Sequence, residues 1–305
     1  MFAPLKSIVY YMNVTATPSG LKDKLLGVFK LIRPKQWVKN GFVFAPLIFS
    51  GELLNSAALV QASLAAFFFC IASSATYIVN DIHDIDLDRK HPKKSKSRPL
   101  ASGAVSKIEA LCILALLYLI LFFGYSLMPK VILVIAAYAI LNLAYTFVLK
   151  HEPVIDIFTI AIGFVLRVIA GAMALDLAAS AWMCVTTLCL ALYLAAVKRR
   201  QELAQSGVDG RKVLKKYSVA LVDRYAEMSA TGALLFYSMF VMSARPELVI
   251  TIPLVLYGLF RYWYVVEALD GGESPTDALL ADWQLMFVVV LWIGACVLAL
   301  SGIYL

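Results

Sequence analysis

Residues 58–88, ALVQASLAAFFFCIASSATYIVNDIHDIDLD, join a long apolar run to a cluster of aspartates. The apolar part has the length of about 20 residues that an α-helix needs to cross roughly 30 Å of hydrocarbon. Similar runs recur along the 305-residue chain, which is 62% apolar and 15% charged. Soluble domains are nearer about half apolar and a quarter charged, and the strand-length alternation of a membrane barrel is missing. The sequence therefore predicts an all-α integral membrane protein.

The hydropathy pattern predicts a bundle of about nine transmembrane helices. The first apolar run is interrupted by Pro46, Gly51 and Glu52. We expect residues 1–24 to form a flexible N-terminal segment and residues 25–305 to form a single domain. The predicted spans cover residues 41–55, 58–79, 108–128, 130–149, 154–174, 181–197, 225–244, 247–266 and 284–304.

Lysine and arginine residues are distributed unevenly between the two sides of the predicted bundle. Of the 27, 23 precede the first span or lie in the loops after the second, fourth and sixth spans. Because cytoplasmic loops carry an excess of basic residues, this side is predicted to be cytoplasmic, with the N-terminus inside. The connections 80–107, 198–224 and 267–283 then share the cytoplasmic face, where we expect any chemistry to occur.

Three aspartates follow the second predicted span at helical spacing. If the helix continues, Asp81, Asp84 and Asp88 lie within roughly 60° of one another, whereas Asp86 points elsewhere. Clustered carboxylates repel one another, and hard oxygen ligands suit Mg²⁺, which keeps several waters and bridges to substrate phosphates. Asn80 could add an amide oxygen or orient a phosphate. The alternative interpretation is a set of ion pairs with the neighbouring basic residues at the membrane surface.

The same loop supplies basic side chains next to the aspartates. Arg98 is the preferred phosphate ligand, since a guanidinium group binds phosphate through two parallel hydrogen bonds. Lys93, Lys94 and Lys96 have two equally supported interpretations: they contact anionic lipid headgroups, or they contact the substrate. The sequence therefore predicts a site that holds a metal ion and a phosphate group together.

Charged residues of the fifth and sixth spans each have two interpretations. Lys198 and Glu202 share a helix face, and they form either an ion pair at the membrane boundary or part of a phosphate site. Arg167 lies inside the fifth span, where a charge faces either a cavity or a structural network. Asp156 is only about 20° away from Arg167 around the helix, so both should face inward.

Two further stretches should lie at the same level of the bundle. The basic residues of RPKQWVKN, residues 33–40, either anchor an interfacial helix or bind phosphate, and Lys35 and Lys39 are the candidates there. Tyr145 and Lys150 lie at the end of the fourth span, next to the predicted site.

The motif NDIHDIDLD, residues 80–88, resembles the first aspartate-rich motif of the UbiA prenyltransferase superfamily. Members of that superfamily have nine helices, and a second motif of paired aspartates normally follows the sixth. Here that position reads AAVKRRQEL, residues 195–203, with Glu202 as its single acid. This departure resembles the decaprenyl-phosphate phosphoribosyltransferase branch, as do four further stretches: RPKQWVKN, LKHEPVIDI (residues 149–157), FVLRVIAG (residues 164–171) and DGGESPTDALLADWQL (residues 270–285).

The resemblance implies an enzyme that transfers a 5-phosphoribosyl group from phosphoribosyl diphosphate (PRPP) to a polyprenyl phosphate. It implies Mg²⁺ as cofactor, a UbiA-like catalytic domain over residues 25–305, a bacterial inner-membrane location and a site facing the cytoplasm. The expected partners are PRPP, polyprenyl phosphate and the lipid bilayer; a homo-oligomer is allowed and no nucleic acid is expected. The implied catalytic residues are Asp81, Asp84, Asp88, Lys198 and Glu202, of which the aspartates bind metal. The implied substrate-binding residues are Lys35, Lys39, Asn80, Arg98, Tyr145, Lys150, Arg167 and Arg199.

Two other functions fit parts of the pattern. A UbiA-type enzyme could instead move a prenyl group from prenyl diphosphate to an aromatic or quinone-precursor acceptor, but that reaction normally uses the second aspartate pair. A transporter without catalysis would be expected to carry acidic residues along its spans and to show repeat symmetry, whereas the acidic residues here collect at one face.

Overall fold

The structure is a computed structural model that describes residues 20–92, 94–206, 212–268 and 275–301. Over these ranges every regular element is an α-helix or a 3₁₀-helix, so the predicted all-α class is confirmed. Of the predicted N-terminal segment, residues 1–19 lie outside the described residues, and the first helix begins at Leu21. Lys93 also lies outside them.

Fourteen α-helices follow one another along the described chain. They are α1 (Leu21–Ile32), α2 (Ala45–Ser50), α3 (Ser56–His83), α4 (Ile85–Lys90), α5 (Lys94–Ser97), α6 (Pro99–Ser102), α7 (Lys107–Leu127), α8 (Pro129–Phe147), α9 (Ile155–Ala174), α10 (Ala181–Ser206), α11 (Val219–Ala244), α12 (Ile252–Ala268), α13 (Pro275–Ala281) and α14 (Trp283–Leu300). 3₁₀-helices cover Pro34–Phe44, Glu52–Leu54, Leu149–His151, Lys212–Lys216 and Pro246–Thr251.

Seven of the described helices are long and apolar enough to cross a membrane, which makes the chain an integral membrane protein. Within a few residues at each end, they correspond to all the predicted spans except the first and the seventh. Residues 302–304 of the ninth predicted span lie outside the described residues. The seventh corresponds to α11, which has 26 residues and carries Asp223, Arg224 and Glu227 near its start. The first is not one continuous helix, because a 3₁₀-helix ends at Phe44, α2 ends at Ser50, and Gly51 takes a positive φ of 82°.

Helices α3 and α9 form the centre of the bundle. More than half of the apolar window in each is buried, 56%, against 17–22% for α7, α8 and α14. The outer helices expose large apolar side chains such as Phe122, Leu133 and Val290. In water such faces would be unfavourable, whereas lipid tails are as apolar as these side chains. The outer helices therefore present the lipid-facing surface.

The 3₁₀-helix Pro34–Phe44 lies directly against the two central helices. A Cβ atom on Gly171 of α9 would come within 2.0 Å of the Val43 carbonyl oxygen, so only glycine permits this approach. The indole of Trp37 donates to Ser74 Oγ at 3.0 Å, and Asn40 is 2% exposed. Trp37 is thus bonded to α3, and the basic residues of this segment are held at the end of α3 that carries the aspartates.

Candidate active site

The aspartate motif is presented by an almost continuous helix, as predicted. Asp84 N–H donates to the Asn80 carbonyl at 2.9 Å, and Asp88 N–H donates to the Asp84 carbonyl at the same distance. Asp84 itself separates α3 from α4, with ψ opened to 8°. Asp86 is exposed and lies 3.7 Å from Arg89, which confirms that it points elsewhere.

Asp81 and Asp88 share one face of this helix and converge on Arg98. They are 1% and 4% exposed. Arg98 Nη1 contacts Asp81 Oδ1 and lies 2.9 Å from Asp88 Oδ2. Arg33 also bonds Asp81 Oδ1, and Lys94 Nζ lies 3.7 Å from Asp88 Oδ1. The two buried carboxylates are therefore compensated by cations from two segments, Arg33 from one and Lys94 and Arg98 from the other.

Asp84 turns away from this pair toward the α8–α9 connection. Lys150 Nζ lies 2.9 and 3.2 Å from its two carboxylate oxygens, and His83 Nδ1 lies 2.7 Å from Oδ1. Burial acts to raise the pKa of Asp84, but the hydrogen bonds and charges of Lys150 and His83 outweigh it and lower the pKa. Asp84 is therefore held ionised, and it ties the loop that carries Lys150 to the end of α3.

Two of the three predicted metal ligands fit a magnesium ion on their chemistry. Asp81 Oδ2 and Asp88 Oδ2 are buried and have no hydrogen-bond partner, the latter because Arg98 is close but poorly aligned. An unsatisfied buried oxygen is costly, and carboxylate oxygens are the ligands that Mg²⁺ prefers. In the part of the chain that the structure describes, no three His, Cys, Asp or Glu side chains gather as a ready metal site. Asp84 is directed at Lys150 instead.

A second buried network lies where α8, α9 and α10 meet. Arg199 is 1% exposed and uses three nitrogens: Nε to Asp156 Oδ2 at 2.7 Å, Nη1 to Glu202 at 2.6 Å, and Nη2 to the Tyr145 hydroxyl at 3.2 Å. Lys198 lies 4.0 Å from Glu202, so the predicted pairing of these two residues is confirmed as a contact. The structure thus brings Tyr145, Asp156 and Glu202 together around Arg199, with Lys198 next to Glu202.

Lys39 differs from the other basic residues near the aspartates. It is partly exposed, and it has no hydrogen-bond or ion-pair partner among the described residues. The part of its side chain that is enclosed by protein is desolvated, and this lowers the pKa to about 8. The charges of Arg167 and Arg33 act in the same direction, and the charge of Asp277 opposes them. Lys35, by contrast, is exposed and forms an ion pair with Asp277 of α13.

Arg167 lies deeper in the bundle than the aspartates. Its guanidinium group donates to Asn40 Oδ1 at 2.8 Å, to the Gly163 carbonyl at 2.7 Å and to the Tyr138 hydroxyl at 3.1 Å. It is 4% exposed, so the prediction that it faces inward with Asp156 is confirmed. These contacts match the interpretation as a structural network, which joins α8 and α9 to the 3₁₀-helix Pro34–Phe44.

The remaining predicted residues are placed as follows. Asn80 is partly exposed, and within the described chain its side-chain amide bonds to nothing. Lys96 is exposed, as expected for a contact with headgroups. Asp282 caps α14 and accepts a hydrogen bond from Arg261 of α12 at 2.6 Å, which joins these two helices.

A cavity of about 580 Å³ lies elsewhere, between α11 and α12. Its walls are mainly apolar, and Phe260, Trp263 and Glu267 are among the residues that line it. Arg200 donates to Glu267 at 3.1 Å, whereas the preceding residue, Arg199, reaches α8 and α9. Asp81, Asp84 and Asp88 are not among the residues that line this cavity.

Two contacts of this network were not predicted. The Tyr217 hydroxyl donates to Asp156 Oδ1 at 2.7 Å, and Asp156 pairs with Arg199, which lies 43 residues further along the chain. Helical spacing indicates neighbours within one helix only. No local signal in the sequence marks either contact.

Three comparisons agree with the geometry. The chain matches the UbiA prenyltransferase family over residues 42–288. A protein of Mycolicibacterium smegmatis named decaprenyl-phosphate phosphoribosyltransferase is 31% identical over 93% of this chain and 96% of its own length. A protein of the same name from Mycobacterium tuberculosis is 33% identical over 92% and 95%. The solved structure of a UbiA homolog from Archaeoglobus fulgidus, bound to GPP and Mg²⁺, has a TM-score of 0.70 and 19% identity, covering 90% of this chain and 99% of that one.

Proposed function

The chain belongs to the UbiA prenyltransferase family, and we propose that it transfers 5-phosphoribosyl from PRPP to a decaprenyl-type polyprenyl phosphate, with release of diphosphate. The mycobacterial relatives of that name match nearly the whole chain, which supports this activity. We further propose that the site faces the cytoplasm of a bacterial inner membrane, and that the product supplies arabinose donors for the cell envelope.

One observation carries the proposal: basic side chains contact each of the three aspartates, and α10 adds more of them instead of a second aspartate pair. Arg33, Arg98 and Lys150 contact Asp81 or Asp84, and Arg199 lies in the adjoining network. A neutral aromatic acceptor would not compensate this positive charge. A donor and an acceptor that both carry phosphate need it, because their mutual repulsion must be overcome at short range.

The reaction is a displacement at ribose C1. An oxygen of the lipid phosphate forms the new bond to C1 while the bond from C1 to the diphosphate oxygen breaks, and the diphosphate leaves with the electron pair. The second pKa of a phosphate monoester is about 6, so the nucleophile is already ionised at neutral pH and no general base is required. The protein acts by positioning and by compensating charge.

The described residues divide these tasks. Mg²⁺ bound by Asp81 and Asp88, with Asp84 as the third predicted ligand, would neutralise the leaving diphosphate. Arg98 and Lys150 are within reach of the same aspartates and would bind phosphate oxygens that the metal does not. Lys39, for which the described residues provide no hydrogen-bond or ion-pair partner, is the candidate for the remaining phosphate charge. The Mg²⁺ in the Archaeoglobus homolog supports the choice of ion.

Comparing donors tests the proposal. Purified protein in lipid would receive Mg²⁺ and either PRPP with a polyprenyl phosphate, or prenyl diphosphate with an aromatic acceptor. We expect mass spectrometry to detect a phosphoribosylated lipid phosphate in the first mixture only. A prenylated aromatic product from the second mixture alone would establish the alternative function, and Mg²⁺-independent movement of either lipid without a product would favour a transporter.

The metal role has a matched pair of variants within one loop. Asp81→Asn removes the charge of a buried carboxylate, and Asp86→Asn removes the charge of an exposed one. We expect Asp81→Asn to reduce turnover by about 100-fold or more, and Asp86→Asn to leave it within about twofold. Near-normal turnover of Asp81→Asn would contradict the assignment of this residue.

A further inference from the structure

Val154, the residue before α9, has an unusual backbone conformation. Its φ of 67° and ψ of −49° lie in a region that β-branched residues rarely adopt, because the side chain crowds the backbone there. Its side chain is 38% exposed, so burial of the valine does not compensate the strain. Strain of this kind persists only when the surrounding structure imposes it. Something outside the turn must therefore hold it.

The hydroxyl of Tyr217 is the group that holds this turn. It accepts a hydrogen bond from Val154 N–H at 2.6 Å and donates one to Asp156 Oδ1 at 2.7 Å. Tyr217 is 7% exposed, and its burial raises the pKa of the phenol. The hydroxyl therefore keeps its proton throughout the physiological range and remains a donor to Asp156.

Both bonds lead to residues of the candidate active site. The other oxygen of Asp156 accepts a hydrogen bond from Arg199 Nε at 2.7 Å, so Tyr217 orients the Arg199 guanidinium group through Asp156. The same guanidinium group also bonds Glu202. Through Val154, it fixes the end of the connection that carries Lys150, four residues earlier in the chain. Lys150 in turn bonds Asp84. One hydroxyl thus connects the aspartate motif with the basic end of α10.

We propose that Tyr217 is a positioning residue for the phosphate-binding cations, which acts by holding the strained turn at Val154 and the carboxylate of Asp156. The inference rests on the proposed phosphoribosyl transfer for its kinetic consequences. Its structural part does not, since the turn and the network exist without substrate. Tyr217 touches no reacting atom in this scheme, and Lys150 and Arg199 carry its effect.

The test removes the hydroxyl alone. In Tyr217→Phe we expect amide hydrogen exchange over residues 149–157 to accelerate by about tenfold, the equivalent of one buried hydrogen bond. We expect kcat/KM for PRPP to fall by about tenfold or more, mainly through KM, because the cations that bind phosphate lose their position. Unchanged exchange over residues 149–157 would overturn the proposal, even in a preparation without PRPP activity.

Two companion variants separate positioning from general stability. Tyr237→Phe removes another buried, hydrogen-bonded phenol hydroxyl, which contacts Thr251 and Trp292 at the other end of α11. It should leave KM for PRPP and exchange over residues 149–157 unchanged, and an equal rise in KM would overturn the proposal. Val154→Gly added to Tyr217→Phe should recover part of kcat/KM, since glycine adopts positive φ without strain. A double variant no better than Tyr217→Phe would also overturn it.

Discussion

Lys39 should make donor binding sensitive to mildly alkaline pH. Its pKa is lowered to about 8, first by burial and then by the charges of Arg167 and Arg33. The side chain is therefore charged below about pH 8 and neutral above it, whereas an ordinary lysine stays charged to about pH 10. From a pKa of about 8, the charged fraction falls about tenfold between pH 7 and pH 9. If the charged form binds a donor phosphate, kcat/KM for PRPP should fall by a similar factor.

The assay measures kcat/KM for PRPP at saturating polyprenyl phosphate and Mg²⁺ between pH 6.5 and 9.5, because this quantity reports the ionisation of the free enzyme. Phosphate groups with a second pKa of about 6 stay fully ionised over the alkaline half of this range. Lys39→Arg is the matched variant, since a guanidinium group remains charged throughout. We expect the alkaline fall to disappear in Lys39→Arg and to persist in the wild type.

Two results would refute this reasoning. A wild-type profile that stays flat to pH 9.5 would show that the charge on Lys39 does not contribute to donor binding. The same alkaline fall in Lys39→Arg would assign the ionisation to another group. Thermal stability measured at each pH would separate a loss of binding from unfolding, because burial of the charged lysine disfavours the folded protein below its pKa rather than above it.

Two further predictions concern stability in detergent or lipid, measured by thermal or denaturant unfolding. Arg199→Met leaves the fully buried carboxylate of Asp156 without its cation and should destabilise the protein by about 3–5 kcal/mol. Asp156→Asn combined with Arg199→Met should lose clearly less stability than Arg199→Met alone. A double variant whose loss equals the sum of the two single losses would contradict the pairing. Gly171→Ala should destabilise by about 1–3 kcal/mol or more, because its Cβ would meet a carbonyl oxygen at 2.0 Å. Gly294→Ala, whose Cβ meets nothing within 4 Å, should be neutral or stabilising, and equal losses would contradict that contact.

The long helices could be predicted because their signal is local. A run of apolar residues with the length of a membrane crossing gives a helix whatever surrounds it, since unsatisfied backbone groups are excluded from lipid. The first predicted span differs because Pro34–Phe44 forms a 3₁₀-helix, which is held by contacts with α3 and α9 that are distant in sequence. Gly171 permits one of these contacts from more than 120 residues away. No sequence pattern within residues 34–55 indicates this contact.

The candidate site also combines contacts that local spacing predicts with contacts that it does not predict. The helical spacing of Asp81 and Asp88 was enough to place them on one face, and their shared contact with Arg98 follows from a nearby loop. Asp84 does not join this pair, because its carboxylate bonds Lys150, 66 residues further along the chain. The buried pair of Asp156 and Arg199 and the hydroxyl of Tyr217 depend on how three helices pack. Such contacts are long-range, and one sequence without relatives gives no sign of them.

The charges at the end of α3 favour polyanionic substrates over neutral ones. Asp81 and Asp88 are almost fully buried, so Arg98 can leave them for a phosphate only if another cation replaces it. In the proposed reaction, binding of a metal ion and binding of a donor phosphate would therefore be coupled through Arg98. Basic side chains also outnumber the three aspartates of the motif, which suits the anionic substrates of the proposed reaction. Against Asp81, Asp84 and Asp88 stand Arg33, Lys39, Lys94, Arg98 and Lys150.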